Sequence, residues 1–345
     1  MVHSPKIEEK AERGMLRIGS RGSQLALWQA NHIADRLRAV GHEVGIEIIR
    51  TLGDATQHLP FAEVGGAQGD GKGMFTKEIE EALFAERIDL AVHSLKDLPT
   101  ELAAPFAIAA IPERVDPRDA FVSVRHASFE ALPQGARIGT SSLRRQAQLR
   151  AQRPDVECVE FRGNVDTRLR KLAEGQVDAI ILASAGLERL GLTQHRRECF
   201  SPLILCPAAG QGALAIEART GDERTRAALA FLDHEPTRYA VTAERAALAA
   251  LGGGCQVPIG IHCFAGNEGY SMVAAVSAPD GSEVLRVVLD RQTEDPETVG
   301  RSVAAELLSQ GAARLLQDGQ TERIGAADQE PVAEAGSSQD TSLGG

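Results

Sequence analysis

The sequence predicts an α/β chain of two layered lobes followed by a smaller α+β unit, and three observations lead there. Through residues 16–190, short β-branched runs alternate with amphipathic stretches of helical period, as in largely parallel sheets joined by helices. Pro99–Ala120, rich in proline and poor in helical period, interrupts that alternation and reads as a crossing between lobes. From about Glu235 the texture changes to one helix, a glycine run and alternating, strand-like stretches. A length of 345 residues leaves room for two or three domains, at roughly 100–200 residues each.

The elements follow in order. Leu16–Gly19 is a strand, and a helix from about Ser23 to Val40 ends at Gly41, a residue free to take the backbone turn that stops a helix. Val44–Thr51 forms a second strand, Thr76–Glu86 a helix and Ile88–His93 a third strand. In the second lobe Arg137–Thr140 leads into a helix from Ser142, and Val156–Arg162 into one from Asn164. Ala179–Ala183 then runs into Ser184–Leu190. A helix over Thr237–Leu251, strands at Tyr270–Ser277 and Glu283–Leu289 and a helix near Thr298–Gln310 make up the last unit. Residues 1–14 read as a disordered arm and 319–345 as a disordered acidic tail. Met15 is an alternative start to Met1.

Composition excludes several classes. With 43% hydrophobic and 25% charged residues the chain is an ordinary globular one, and 4% aromatics leave its core to Leu, Ile, Val and Ala. No run approaches the ~18 apolar residues of a membrane span, and the polar N-terminus lacks a secretory core. The five cysteines form no C-x-x-C pair, so neither a disulfide framework nor a metal site is expected, and a reducing cytoplasm fits. A net charge of −11 argues against nucleic acid as a partner. That charge is uneven: residues 318–345 hold six acids and one Arg, whereas 137–171 hold nine Arg or Lys against four acids. An acidic chain with one basic block suggests a localised anion site.

Three strand-to-helix junctions place arginine at or near a helix start: Gly19-Ser20-Arg21-Gly22-Ser23, Gly139-Thr140-Ser141-Ser142-Leu143-Arg144-Arg145 and Arg162-Gly163-Asn164-Val165-Asp166-Thr167-Arg168. Cations there oppose the helix dipole by ~0.3–1 kcal/mol each, which is reasonable where an anion is to be bound. Ser23, Ser141, Ser142 and Asn164 can cap the helices or donate to that anion. In open α/β sheets such junctions face the crevice at the strands' carboxyl ends. Arg21, Arg144, Arg145, Arg162 and Arg168 could together grip several carboxylates, though any one alone is ordinarily a surface ion pair or cap. Ser94-Leu95-Lys96-Asp97-Leu98-Pro99 puts Lys96 and Asp97 in the loop after a strand, where an ionised Asp97 could act on cationic intermediates or relay protons. Cys255 follows Gly252-Gly253-Gly254, a side-chain-free run that lets a bulky group approach its thiol. Cys158, Cys199, Cys206 and Cys263 read as core cysteines. Gly65–Gly73 lacks phosphate-loop spacing, because Lys72 precedes Gly73, and reads as a mobile loop carrying Lys72 over a cleft.

IGSRGSQLALWQA, HSLKDLPT, GTSSLRR, FRGNVDTRLRKL and GGGCQVPIG occur in that order, and together they resemble the porphobilinogen deaminase (hydroxymethylbilane synthase) family from about Leu16 to Gln317. The resemblance implies two similar lobes of periplasmic-binding-protein-like form with a cleft between them. It divides the chain into 15–112 with 213–230, 118–206, and a third domain at 235–317. It also implies a dipyrromethane cofactor joined by a thioether at Cys255, and Asp97 as the catalytic carboxylate. Binding of cofactor and substrate would fall to Arg21, Ser23, Lys72, Lys96, Thr140, Ser141, Ser142, Arg144, Arg145, Arg162, Gly163, Arg168, Arg189 and Gln211. The implied substrate is porphobilinogen, four units of which are condensed with loss of ammonia. The product, hydroxymethylbilane, would pass to a downstream synthase, and a cytoplasmic monomer is expected. The chain departs from the family in the longer GGAQGDGKGMF loop, in Glu63 where many relatives carry lysine, and in Leu52 where many carry arginine. The rival reading is a non-catalytic, two-lobed binder of carboxylates, which would need neither Cys255 nor Asp97.

Overall fold

A computed structural model describes residues 14–51, 76–253, 258–266, 268–292 and 294–317. Lys72, Cys255, the arm at 1–13 and the tail at 318–345 lie outside the described residues.

The first lobe contains β1 (Leu16–Ser20), α1 (Gln24–Ala39), β2 (Val44–Ile48), α2 (Lys77–Phe84), β3 (Leu90–Ser94) and β4 (Phe106–Ala110). The second contains β5 (Asp119–Val122), β6 (Arg137–Gly139), α3 (Leu143–Gln152), β7 (Glu157–Val159), α4 (Val165–Ala173), β8 (Ala179–Ala183), α5 (Ser184–Arg189) and β9 (Arg196–Cys199). The chain then returns with β10 (Leu214–Arg219) and α6 (Glu223–Leu229). The last unit is α7 (Glu235–Ala250), β11 (Ile259–Gly266), β12 (Gly269–Ser277), β13 (Val284–Gln292) and α8 (Pro296–Ser309).

The two large sheets share one plan. Their strand orders are β2-β1-β3-β10-β4 and β7-β6-β8-β5-β9. In each, the first three strands are parallel, and the fourth pairs antiparallel with both neighbours. The fourth strand, β10 or β5, is the one that arrives from the other lobe. β4 lies inside the stretch expected to be a crossing. Its FAIAA run pairs with β10, more than a hundred residues later, so nothing local marks it as a strand.

Local chemistry sets the elements. Ser23 is extended and its hydroxyl accepts from Ala26 N at 3.3 Å, capping α1. Gln29, Ala30, Ile33, Ala34 and Leu37 form the buried face of that helix. They pack with Leu16, Ile18, Leu90 and Val92 on one side of the sheet, while Ile79, Leu83 and Ile88 fill the other. Each such aliphatic side chain contributes roughly 1.5–3 kcal/mol on burial. In the third unit α7 and α8 cover one face of an antiparallel three-stranded sheet, with Ala243, Ala247, Val299, Val303, Ile261 and Val276 in its core.

Glu244, fully buried on α7, ties the two crossings to that unit. It accepts from Arg114 at 2.6 and 3.2 Å, from Gly210 N at 2.6 Å and from Cys263 N at 2.8 Å. Gly212 in the return crossing has φ +87, and a Cβ there would sit 2.6 Å from the Val115 carbonyl in the outward one. Only glycine lets the two chains run so close.

Candidate active site

A cleft of about 300 Å³ lies between the lobes. The first lobe contributes Arg21, Ser23, Lys96 and Asp97, the second Arg145, Gly163, Arg168 and Arg189, and the return crossing Gln211 and Gly212. Asp166 also lines it, so five cationic side chains face two carboxylates. Such a field favours an anion of several charges.

Asp97 owes its place to a short turn. β3 ends at Ser94, and Leu95–Asp97 form a 3₁₀ turn rather than an irregular loop. Leu95 and Leu98 are buried on either side, Leu95 N donates to Ala213 O at 3.0 Å, and Asp97 is left exposed to the cleft. Arg245 on α7 holds the far end, donating to the Pro99 and Thr100 carbonyls at 2.7 and 2.9 Å. Burial pushes the Lys96 ammonium down, with Asp97 opposing and Arg145 adding to the shift.

The paired arginines part company. Arg144 turns away from the cleft, donating to Asp119 at 2.8 Å and to the Cys206 carbonyl at 2.5 Å. Arg145 lines the cleft while gripping Asp119 through Nε at 3.0 Å and Nη2 at 2.7 Å. Burial alone would raise the Asp119 carboxyl, but the two guanidiniums hold it well below the usual range. Gln211 Nε2 adds a fourth bond to Asp119 at 2.9 Å. Nothing local in the sequence singles out Asp119, because its partners stand 25, 26 and 92 positions away.

Arg168 and Arg189 are different. Arg168 donates to Gly163 O at 2.7 Å and Arg189 to Gly212 O at 2.6 Å. Burial lowers both to about 10, with Arg145 and Arg162 adding to the shift at Arg168. Both remain charged at neutral pH, and among the described residues neither has a carboxylate within ion-pair distance. A cation so placed is costly until an anion meets it. Gly163, at φ +122, shapes the bend that brings its carbonyl to Arg168.

Other expected residues stand outside the cleft lining. Thr140 Oγ1 accepts from Ser142 N at 3.2 Å, Ser141 Oγ from Phe161 N at 3.0 Å, and Ser142 caps α3. They shape the junction. Arg162 pairs with Glu160 at 2.5 Å. Among the core cysteines, burial pushes Cys206 and Cys263 up to about 12 and also raises Cys158. Sequence reasoning passed over Ser94 and Asp166 as lining residues, although Asp166 stood in plain view within an arginine-rich junction; Asn164, read as a cap or an anion donor, makes no side-chain cap bond and lines the cleft.

Family models and curated relatives agree on one family. The family described as "Porphobilinogen deaminase, dipyromethane cofactor binding domain" matches residues 16–227, and "Porphobilinogen deaminase, C-terminal domain" matches 238–309. A porphobilinogen deaminase of Nitratidesulfovibrio vulgaris (strain DP4) is 49% identical over 307 residues, covering 88% of this chain and 96% of the relative. One from Pelobacter propionicus is 49% identical over 305 residues, with the same coverage. Among solved structures, a putative methionine-binding lipoprotein from Bacillus subtilis has 12% identity and a TM-score of 0.39, covering 63% of this chain and 89% of the other.

Proposed function

Because this chain belongs to the porphobilinogen deaminase family, we propose that its interlobe cleft performs the family's condensation with Asp97 as the acting carboxylate and Cys255 as the cofactor's attachment point. The enzyme is a hydroxymethylbilane synthase, a transferase of tetrapyrrole biosynthesis. It joins four porphobilinogen units head to tail on a dipyrromethane primer, releasing ammonia at each addition and then hydroxymethylbilane by hydrolysis.

The observation that carries the site assignment is one cleft lined by five cations and an exposed Asp97. Porphobilinogen bears an acetate and a propionate, so a growing chain gathers carboxylates, and Arg168 and Arg189 offer charge that no carboxylate among the described residues meets at ion-pair distance. The same two side chains fit dipyrromethane, itself a polycarboxylate. When bound, that group supplies the pyrrole carbon to which the first unit is joined.

The roles divide by lobe. Arg145, Arg168 and Arg189 hold carboxylates from the second lobe, and Arg21, Ser23 and Lys96 from the first. Asp97, fixed by the turn at Leu95–Asp97, faces the reacting methylene and favours positive charge as ammonia departs. Tethering the primer at Cys255 makes each addition effectively intramolecular. Arg144, Thr140, Ser141, Ser142 and Arg162 support the reading as second-lobe residues that shape the anion site. Lys72 and Gln211 complete it, Gln211 by bridging Asp119 and the crossing.

Three sheets support a division into 15–112 with 213–230, 118–206, and 235–317. Among the described residues no helix is long and apolar enough to cross a membrane. We read the protein as a cytoplasmic monomer that hands hydroxymethylbilane to a downstream synthase.

Intact mass tests the proposal. Purified protein should carry the dipyrromethane adduct, and Cys255→Ser should lack it. An unmodified mass in active protein would defeat the assignment of Cys255.

A further inference from the structure

Outside the cleft, a groove of about 550 Å³ runs between the two lobes. Gln24 and Trp28 on α1 form its first-lobe wall, and Glu188, Arg189, Leu190 and Gly191, where α5 ends, form the other. Gln24, Arg189 and Leu190 also line the cleft and make a sill between the two spaces. Trp28, Glu188 and Gly191 line the groove and not the cleft, whereas Asp97 and the other cleft cations take no part in the groove.

Trp28, the chain's single tryptophan, is left 36% exposed. A lone exposed apolar side chain needs no explanation, but this one is held in place opposite charged groups. One helical turn on, His32 stacks against it, with ring centroids 5.0 Å apart and planes 6° from parallel. Glu188 is exposed, and among the described residues its carboxylate has no hydrogen bond or ion pair. Arg189 joins the two spaces. Burial lowers its guanidinium, and Glu188 and then Asp97 oppose that shift, so one cation feels a carboxylate on the groove side and another on the cleft side.

We propose that this groove is an entry station that receives porphobilinogen before it reaches Asp97. Trp28 takes the pyrrole ring, Arg189 a carboxylate and Glu188 the aminomethyl ammonium. The inference rests on porphobilinogen being the substrate, and it adds a site outside the cleft. The three groups match the free monomer and not the growing chain. Each unit loses its ammonium as it is joined, so a joined unit brings only carboxylates to Glu188 and is repelled. The cleft, at about 300 Å³, lies at the low end of the range for even one small ligand. A monomer waiting behind a bound primer needs other room. Because Arg189 lines both spaces, an acid arm can stay on it while the ring passes over the sill. No bond is made or broken in the groove.

The single tryptophan makes the test direct. Asp97→Ala holoprotein is titrated with porphobilinogen and, in parallel, with the same pyrrole diacid lacking the aminomethyl group. Trp28 fluorescence should respond saturably to both, with porphobilinogen bound about two- to fivefold more tightly, the range of one exposed ion pair. Glu188→Gln in the same background should bring the two affinities together. A silent Trp28, equal affinities at the unaltered Glu188, or a preference that survives Glu188→Gln each overturns the proposal. If the Glu188 variant does not fold, the comparison of the two ligands still decides. In otherwise wild-type enzyme, Trp28→Ala should lower kcat/KM by roughly 2- to 10-fold with kcat unchanged; an unaltered kcat/KM also overturns it. Should Asp97→Ala still turn over, the role of Asp97 falls alone. The same signal is then read in wild type on rapid mixing, before the first ammonia is released.

Discussion

Arg145 grips Asp119 through two guanidinium nitrogens, at 3.0 and 2.7 Å, while the same side chain lines the cleft. Arg144 meets the other Asp119 oxygen at 2.8 Å, so a single buried carboxylate balances two buried cations. Asp119→Asn therefore strands both guanidiniums, and should lower stability by about 3–5 kcal/mol in urea unfolding at neutral pH.

The same pair sets an acid dependence. Asp119 is held below the usual carboxylate range in the folded state, so its contribution is complete above the unfolded value near 4 and shrinks as pH falls toward the lower folded value. Urea midpoints of wild type and Asp119→Asn should differ equally at pH 7 and 5 and draw together below about pH 4.

Arg168 and Arg189 should behave in the opposite sense. Arg189 is buried and Arg168 half-buried, and each is bonded to a carbonyl. Replacement by Gln should leave the cofactor-free protein as stable or more so, yet raise porphobilinogen KM by roughly 10- to 100-fold, the range of a lost charged hydrogen bond. Paired urea melts and steady-state kinetics check both halves.

Asp97 is exposed and anchored by its neighbours rather than by its own carboxylate, so Asp97→Ala should fold normally and retain the mass adduct. Turnover should fall by roughly 10³-fold or more, in line with loss of a well-placed electrostatic group. Normal product formation would remove Asp97 from its role.

Arg245 acts at one remove. Its bonds to the Pro99 and Thr100 carbonyls fix the end of the turn carrying Asp97. Arg245→Ala should reduce kcat by roughly 10- to 100-fold through misplacement while KM stays near wild type, and Arg245→Lys should recover part of the loss.

Much of this was legible in the chain. Apolar, β-branched runs marked β1, β3 and β8, which are buried on both faces, and helical periods marked the helices that bury one face against them. The cationic junctions at Arg21, Arg145 and Arg168 stood out because charge at a helix start runs against the dipole, and the fold brings these three side chains to one cleft. What could not be read depends on distant pairing. β4 becomes a strand only against β10, Arg144 becomes structural only because Asp119 arrives from β5, and His93 meets Glu217 across 124 residues. No window of sequence contains both halves of any of these contacts.

The placement of β10 between β3 and β4 has a consequence for synthesis. A ribosome making this chain releases β1 to β4 early, but the slot in the middle of their sheet stays vacant until residue 219 has left the exit tunnel. The whole second lobe emerges in the interval, with its own sheet waiting on nothing later than β9. The lobe translated second can therefore finish folding first, and the one translated first must keep two raw strand edges apart until its missing piece comes back.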